Sequence, residues 1–277
     1  MRILVLISPL HAGAELALNK LVKRRDFEIV GVARTSLAFT SRHLWHYARY
    51  TTRRTGVYYA VMFLLFINVH VIAAAIGSLM FWVVRKKRWF TIDALIEKYK
   101  IPLHQTSDIN DAASHEFIRS CAPDIMVSLY FDQILKKETI SIPPQGTINM
   151  HPGLLPHYRG LWAHFWNIFN GEKKGGVTIH HMDETLDTGD IIVQESFSIK
   201  KTDTKWRLRL RAARHGTRML IDVLKKIKAG IKLPRIKPVG IGKYYTTPDK
   251  EQLKAFFARG KKLFSIQDFW RSMKNML

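Results

Sequence analysis

From Val57 to Val84 the chain reads VYYAVMFLLFINVHVIAAAIGSLMFWVV, without one formally charged residue. About 20 apolar residues span a bilayer, so hydropathy alone makes this run a transmembrane candidate. Its neighbours restrict it further. The residues on both sides read as strands and helices of one sheet, so both flanks must lie on the same side of any membrane, and a single crossing would divide the domain. Two full crossings need about 40 residues, more than the run supplies. What remains is a re-entrant or interfacial helical hairpin bent near Asn68-Val69-His70, a self-packed helical pair, or an apolar insert buried by protein, for instance in a homodimer. Arg53 and Arg54 precede the run, and Arg85, Lys86, Lys87 and Arg88 follow it. Basic residues at both ends suit a segment whose ends both face the cytoplasm and predict contact with an anionic membrane surface.

The flanking pattern is that of a parallel sheet. Met1 to Ser8 is an apolar run, Glu15 to Arg25 has helical spacing, and Phe27 to Ala33 is a second apolar run. That βαβ opening predicts parallel strands with helices on both faces. Further units are expected after the insertion at 40–90: Thr91 to Tyr99 as helix, Ile101 to Leu103 as a short strand, Ala112 to Cys121 as helix and Ile125 to Tyr130 as a buried strand. The turn Pro9-Leu10-His11-Ala12-Gly13 lacks G-x-G-x-x-G, so a dinucleotide site has no support. The opening MRILVLISPL is too short in its apolar core, and too poor in basic residues, for a signal peptide.

The formal net charge of +22 points to an acidic partner surface, either anionic lipid or nucleic acid, with a solvated basic surface as the alternative. A single cysteine, Cys121, excludes an internal disulfide and suits the reducing cytoplasm. Metal chemistry has little support: no paired Cys motif and no H-E-x-x-H occurs, and His180-His181 alternate faces if they lie on a strand. No G-x-S-x-G is present, and Cys121 on a helix reads as a buried structural thiol.

Convergent polar groups are confined to Thr147–Gln194. As a strand, Thr147-Ile148-Asn149-Met150-His151 puts Asn149 and His151 on one face and Ile148 and Met150 on the other. Val177 to His181 reads as a second strand, and the loop Asp183 to Gly189 after it can return a carboxylate to the same place. A lone Asn or His at a strand end is ordinarily a cap or a satisfied polar residue. The ordered set is more specific. Asn149-x-His151-Pro152, then Leu154-Leu155-Pro156-x-Tyr158-Arg159-Gly160, then Met182-Asp183-Glu184-x-Leu186-Asp187-Thr188-Gly189-Asp190-Ile191, resembles the folate-dependent formyltransferases. That family includes methionyl-tRNA, glycinamide ribonucleotide and amino-sugar N-formyltransferases. The resemblance runs from about Asp124 to Gln194 and extends to the opening βαβ unit; residues 40–90 and most of 205–277 fall outside it.

The resemblance implies a Rossmann-like catalytic fold and attack by an amine on the formyl carbon of N10-formyltetrahydrofolate, without a metal. Asn149 would hydrogen-bond the tetrahedral oxyanion, His151 would assist proton transfer or stabilise charge, and Asp187 would orient His151 and a water. Leu129, Tyr130, Phe131, Ile134, Leu135, Asp183, Glu184 and Thr185 are the implied folate contacts, although Phe131 and Ile134 could equally be core. His11, Gly153, Pro156, Arg159 and Gly160 are the implied substrate-loop residues, Gly153 standing where serine is commoner in the family.

The expected organisation is a catalytic domain over 1–205, interrupted by the 40–90 insertion, then a closing helix and basic extension over 206–277. The tail resembles those of sugar-type enzymes rather than the C-terminal barrel of methionyl-tRNA formyltransferase. The first loop lacks the Gly-Ser pattern of the purine enzyme. An amino sugar, nucleotide-linked or lipid-linked, is therefore the expected acceptor, on the cytoplasmic face of a membrane. Alternatives are a formyltetrahydrofolate hydrolase, a methionyl-tRNA formyltransferase-like enzyme, and a non-catalytic basic protein binding membrane or RNA. Arg207, Arg209, Arg211 and Arg214 are either phosphate or headgroup ligands or a solvated helix face.

Overall fold

The computed structural model describes residues 1–9, 11–36, 49, 52–57, 91–240, 242–265 and 267–268. The expectation for the uncharged run therefore lies, beyond Val57, outside the described residues. Among those described, no helix is long and apolar enough to cross a membrane.

Arg2–Ile7 (β1) is buried on both faces, which is why its sequence is a continuous apolar run rather than an alternating one. Ile3, Val5 and Ile7 join the larger core cluster, whereas Leu4 and Leu6 join a second cluster on the other face with Ile118 and Cys121. Ala12–Leu21 (α1) leads to Glu28–Thr35 (β2), which pairs parallel with β1. After the insertion come Ile92–Tyr99 (α2), Leu103–Thr106 (β3), Ala112–Cys121 (α3) and Ile125–Leu129 (β4). Thr91 and Asp111 cap their helices by accepting from the backbone N–H three residues on, which fixes both starts where the sequence signals them.

Lys137–Ile140 (α4) precedes Thr147–His151 (β5), and Arg159–Gly160 (β6) precedes Ala163–Phe169 (α5). Lys174–His181 (β7) and Ile191–Ser198 (β8) complete the main sheet, whose order is β3-β2-β1-β4-β5-β7-β8. Strands β1 to β5 run parallel; β7 is antiparallel to both β5 and β8. The short strand expected at Ile101 to Leu103 is displaced to Leu103–Thr106, since the Ile101 N–H closes the end of α2 on the Ile96 carbonyl and Pro102 has no N–H for the ladder.

Lys205–Lys228 (α6) closes one face of the sheet, with Leu208, Leu220, Val223 and Leu224 buried in the larger cluster. Fully burying such side chains is worth roughly 1.5–3 kcal/mol each. Gly216 permits the close approach, because a Cβ there would lie 2.6 Å from the Met150 sulfur on β5. Tyr244–Tyr245 (β9) pairs with β6, and Lys250–Ala258 (α7) packs Phe256 on Phe165, ring centroids 4.7 Å apart. The chain steps outward from β1 to β2 and β3 and then crosses back to β4 on the other side of β1, so a crevice opens at the carboxyl ends of β1 and β4, where open α/β sheets place their ligands.

Candidate active site

Antiparallel pairing of β5 with β7 sets Asn149 directly opposite His180, and the amide Nδ2 lies 3.1 Å from His180 Nε2. His180 Nδ1 lies 2.8 Å from the His181 carbonyl oxygen. A carbonyl only accepts, so Nδ1 carries the proton and Nε2 accepts from the Asn149 amide. Burial holds the His180 pKa down at about 4, against the opposing pull of Asp187, so the ring is neutral at ordinary pH.

Asp187 enters from the loop after β7 with a positive φ of 55°, a backbone state uncommon for any residue but glycine. Its Oδ2 accepts from the Gly160 N–H at 2.7 Å. Its Oδ1 faces Asn149 Nδ2 at 3.5 Å, His151 Nδ1 at 3.4 Å and His180 Nε2 at 3.7 Å. Arg159 Nε donates to the Leu186 carbonyl, and Asp183 Oδ1 accepts from Thr185 and Thr188, which together shape the loop. Burial alone would raise the Asp187 pKa. The His151 charge and hydrogen bond, with the Gly160 N–H, outweigh it and hold the carboxyl well below its usual range.

His151 is buried, with Nε2–H donating to the Tyr158 carbonyl at 2.6 Å and Nδ1 turned to Asp187. Burial pushes its pKa down, but the Asp187 charge and the two hydrogen bonds push it up further, and the net direction is upward. Two oxygen acceptors at the two ring nitrogens suit the protonated ring. An amide donor, an imidazole able to hold positive charge and an ionised carboxylate are thus gathered at the ends of β5 and β7, a set suited to stabilising an oxyanion and moving a proton.

These groups line a cleft of about 430 Å³. Of the sequence-derived residues, Asn149, His151, Asp187, Tyr130, Phe131, Ile134, Leu135, Asp183, Thr185, His11 and Gly160 line it. The others do not. Leu129 is wholly buried within β4, and Glu184 is exposed outside the lining. Gly153, Pro156 and Arg159 also stand outside it, Arg159 acting through Leu186. Gly153 matters by its lack of a side chain, since a Cβ there would come within 2.9 Å of His151 Nε2.

Sequence reasoning missed His180, His164 and Lys205, which also line the cleft, as does Arg209, named from the sequence as a phosphate or headgroup ligand or part of a solvated helix face. His180 was legible only through the strand register, whereas Lys205 and Arg209 share a helix face by their four-residue spacing. Tyr130, Trp162 and Asp187, three cleft residues, have positive φ; the other non-glycine cases among the described residues, Lys100 and Ala122, are helix C-caps. Such backbone costs of order 1–3 kcal/mol per residue and collects at functional sites. Among the described residues no group of three or more His, Cys, Asp or Glu side chains could hold a metal.

The sheet order, the reversal between β1 and β4 and the Asn149, His151, Asp187 constellation define a formyltransferase-type α/β fold. The formyl transferase family model matches residues 81–224, just over half of the chain, and the chain belongs to that family. It is 40% identical over 131 residues to the methionyl-tRNA formyltransferase of Syntrophus aciditrophicus, covering 47% of this chain and 42% of that protein. With the one from Methylacidiphilum infernorum it is 41% identical over 139 residues, 50% and 43% of the respective chains. The chain thus spans less than half the length of these curated relatives. In fold it is similar to WlaRD, a sugar 3N-formyl transferase crystallised in the presence of dTDP and 5-N-formyl-THF, with a TM-score of 0.57, 19% identity and 88% of this chain and 69% of that one covered. Phosphoribosylglycinamide formyltransferase from Anaplasma phagocytophilum aligns with a TM-score of 0.57 and 18% identity over 88% of this chain and 97% of the other.

Proposed function

We propose that the chain transfers the formyl group of N10-formyltetrahydrofolate to a primary amine, most fittingly an amino sugar linked to a nucleotide or a lipid. The observation that carries this reading is the meeting of Asn149, His151 and Asp187 in the cleft. The amine nitrogen attacks the formyl carbon and its carbonyl π pair moves to oxygen. Asn149 donates to that oxyanion, and the positively charged His151 ring, held by Asp187, stabilises it. Collapse breaks the bond to folate N10, which takes up a proton as tetrahydrofolate leaves, and the amine nitrogen loses one.

Tyr130, Phe131, Ile134, Leu135 and Met182 give the cleft an apolar wall suited to a pterin ring, and Asp183 and Thr185 offer polar atoms beside it. In this proposal residues 1–205 are the catalytic unit, interrupted at 40–90, and 206–277 supply the closing helix and a basic extension. The uncharged run at 57–84 and its flanking Arg and Lys residues would hold the enzyme to the cytoplasmic face of an anionic membrane. A second reading is favoured by the curated relatives, which are methionyl-tRNA formyltransferases: the acceptor amine would then be the aminoacyl group of a tRNA, drawn by the net charge of +22.

Tetrahydrofolate release, followed with the full chain and a panel of UDP-linked amino sugars, lipid-linked amino sugars and methionyl-tRNA, tests the assignment. Release that depends on an amino sugar is the expected result. Release with methionyl-tRNA alone selects the second reading, and release without any amine would make the protein a hydrolase.

A further inference from the structure

The start of α6 carries Lys205, Arg207, Arg209 and Arg211, and the helix sorts them by face. Arg207 and Arg211 turn to carboxylates: Arg207 Nε donates to Asp268 at 2.5 Å, and Arg211 to Asp203 at 2.7 and 2.9 Å. Lys205 and Arg209 turn the other way and line the cleft. The ion pairs between described residues include none on either of them. Lys205 Nζ sits 3.2 Å from the centroid of the Trp162 ring, and the Arg209 guanidinium 5.5 Å from that of Trp206. Glu15 on α1 is the carboxylate whose charge bears on Arg209.

Four nitrogens of this wall are buried and have no hydrogen-bond partner among the described residues: Arg209 Nε, His11 Nδ1 and both ring nitrogens of His164. His164 is 5% exposed and lines the cleft. Buried polar nitrogens in folded proteins are satisfied, and each neutral imidazole still offers one N–H, so orphaned nitrogens around a cleft mark where a ligand brings partners. The donors come from the loop before α1, from α5 and from α6. A phosphoryl group presents three outer oxygens and up to two charges, which suits donors arriving from several directions better than a flat carboxylate does.

We infer that this wall binds a phosphoryl group carried by the formyl acceptor, with Arg209 and Lys205 countering its charge and His11 and His164 donating N–H bonds. The assignment rests on the formyltransferase reading, because it gives the anion to the acceptor and leaves Phe131 to Leu135 and the Asp183–Asp187 loop to the donor. It also gives the acceptor a handle next to its amine: the same cleft holds Asn149.

Titration calorimetry of the full chain with pyrophosphate, at constant chloride, tests the site, with 5-formyltetrahydrofolate as a separate probe of the donor wall. Saturable pyrophosphate binding is expected, weakened about tenfold or more in Arg209→Met and Lys205→Met and largely recovered in Arg209→Lys, while 5-formyltetrahydrofolate binding changes less than about twofold. Absence of saturable pyrophosphate binding, or equal affinity in the methionine variants, overturns the site. So does loss of 5-formyltetrahydrofolate binding in those variants with pyrophosphate unaffected. Failure of the wild-type chain to bind 5-formyltetrahydrofolate counts instead against the formyltransferase reading. Competition then separates the two phosphate sources, UDP in solution and phosphatidic acid in phosphatidylcholine vesicles. Displacement of pyrophosphate by either supports an acceptor-borne phosphoryl group and names its source; displacement by neither contradicts it.

Discussion

Asn149 on β5 and His180 on β7 face each other in the antiparallel register, with the amide nitrogen 3.1 Å from an imidazole nitrogen that can only accept. His180 therefore fixes which way the Asn149 amide points, and so where its other N–H, 3.5 Å from Asp187 Oδ1, is aimed. Its removal should act through orientation. His180→Ala is expected to lower kcat about tenfold, the worth of one neutral hydrogen bond, with little change in donor KM, and His180→Gln should recover part of the loss. Unchanged kcat in His180→Ala would remove this positioning role.

His151 owes its raised pKa to Asp187, against burial. In Asp187→Asn the burial remains and the charge is gone, so the His151 pKa should fall below its ordinary value of about 6.5. Proton NMR titration of the ring in both proteins measures it, and an unmoved pKa would show that Asp187 does not set the ring's charge. The same variant should lose about a hundredfold or more in kcat.

Acid should destabilise the fold through the histidines that burial keeps neutral. His180 is held at about 4, while in the unfolded chain it titrates near 6.5, so between those values the unfolded state binds the extra proton and stability falls as pH falls. His11 and His164, lowered chiefly by burial, act in the same direction. Asp187, held low, adds a further loss once pH enters the carboxylate range. His151 has the opposite sign: its contribution is complete below about 6.5 and is lost as pH rises through its raised value. His180 alone accounts for roughly 2 kcal/mol between pH 7.5 and 5. Urea melts at the two pH values check this, and equal stability at both would contradict it.

The parallel core was readable because β1 and β4, covered on both faces, are near-continuous apolar runs, and because Thr91 and Asp111 signal the starts of α2 and α3. Asn149, His151 and Asp187 were readable for another reason, their ordered spacing around the Leu154-Leu155-Pro156 and Leu186-Asp187-Thr188-Gly189 turns. His180 was not, since its partnership with Asn149 depends on a strand register that no local pattern encodes. His164 and Lys205 were hidden too: both sit in helices where a polar residue reads as solvated, and only tertiary packing turns them into the cleft beside Arg209.

Asp268 ties the segment after α7 to the start of α6. It is 1% exposed and accepts from Thr204 Oγ1, Arg207 Nε and the Ser265 backbone N–H. Asp268→Ala leaves Arg207 without its carboxylate and should cost about 3 kcal/mol, seen as a lower urea midpoint. A loss within experimental error would mean that this segment contributes nothing to holding α6.

The most direct test is formyl transfer by the full chain from N10-formyltetrahydrofolate labelled in the formyl carbon, compared between wild type and Asn149→Ala at saturating donor and acceptor. Label should pass to the acceptor amine in the wild type and at a rate about 10²–10³ lower in Asn149→Ala, the usual cost of losing an oxyanion donor. Equal rates in the two proteins, or label that stays on the folate with every acceptor and with water, would contradict the assignment of this site to formyl transfer.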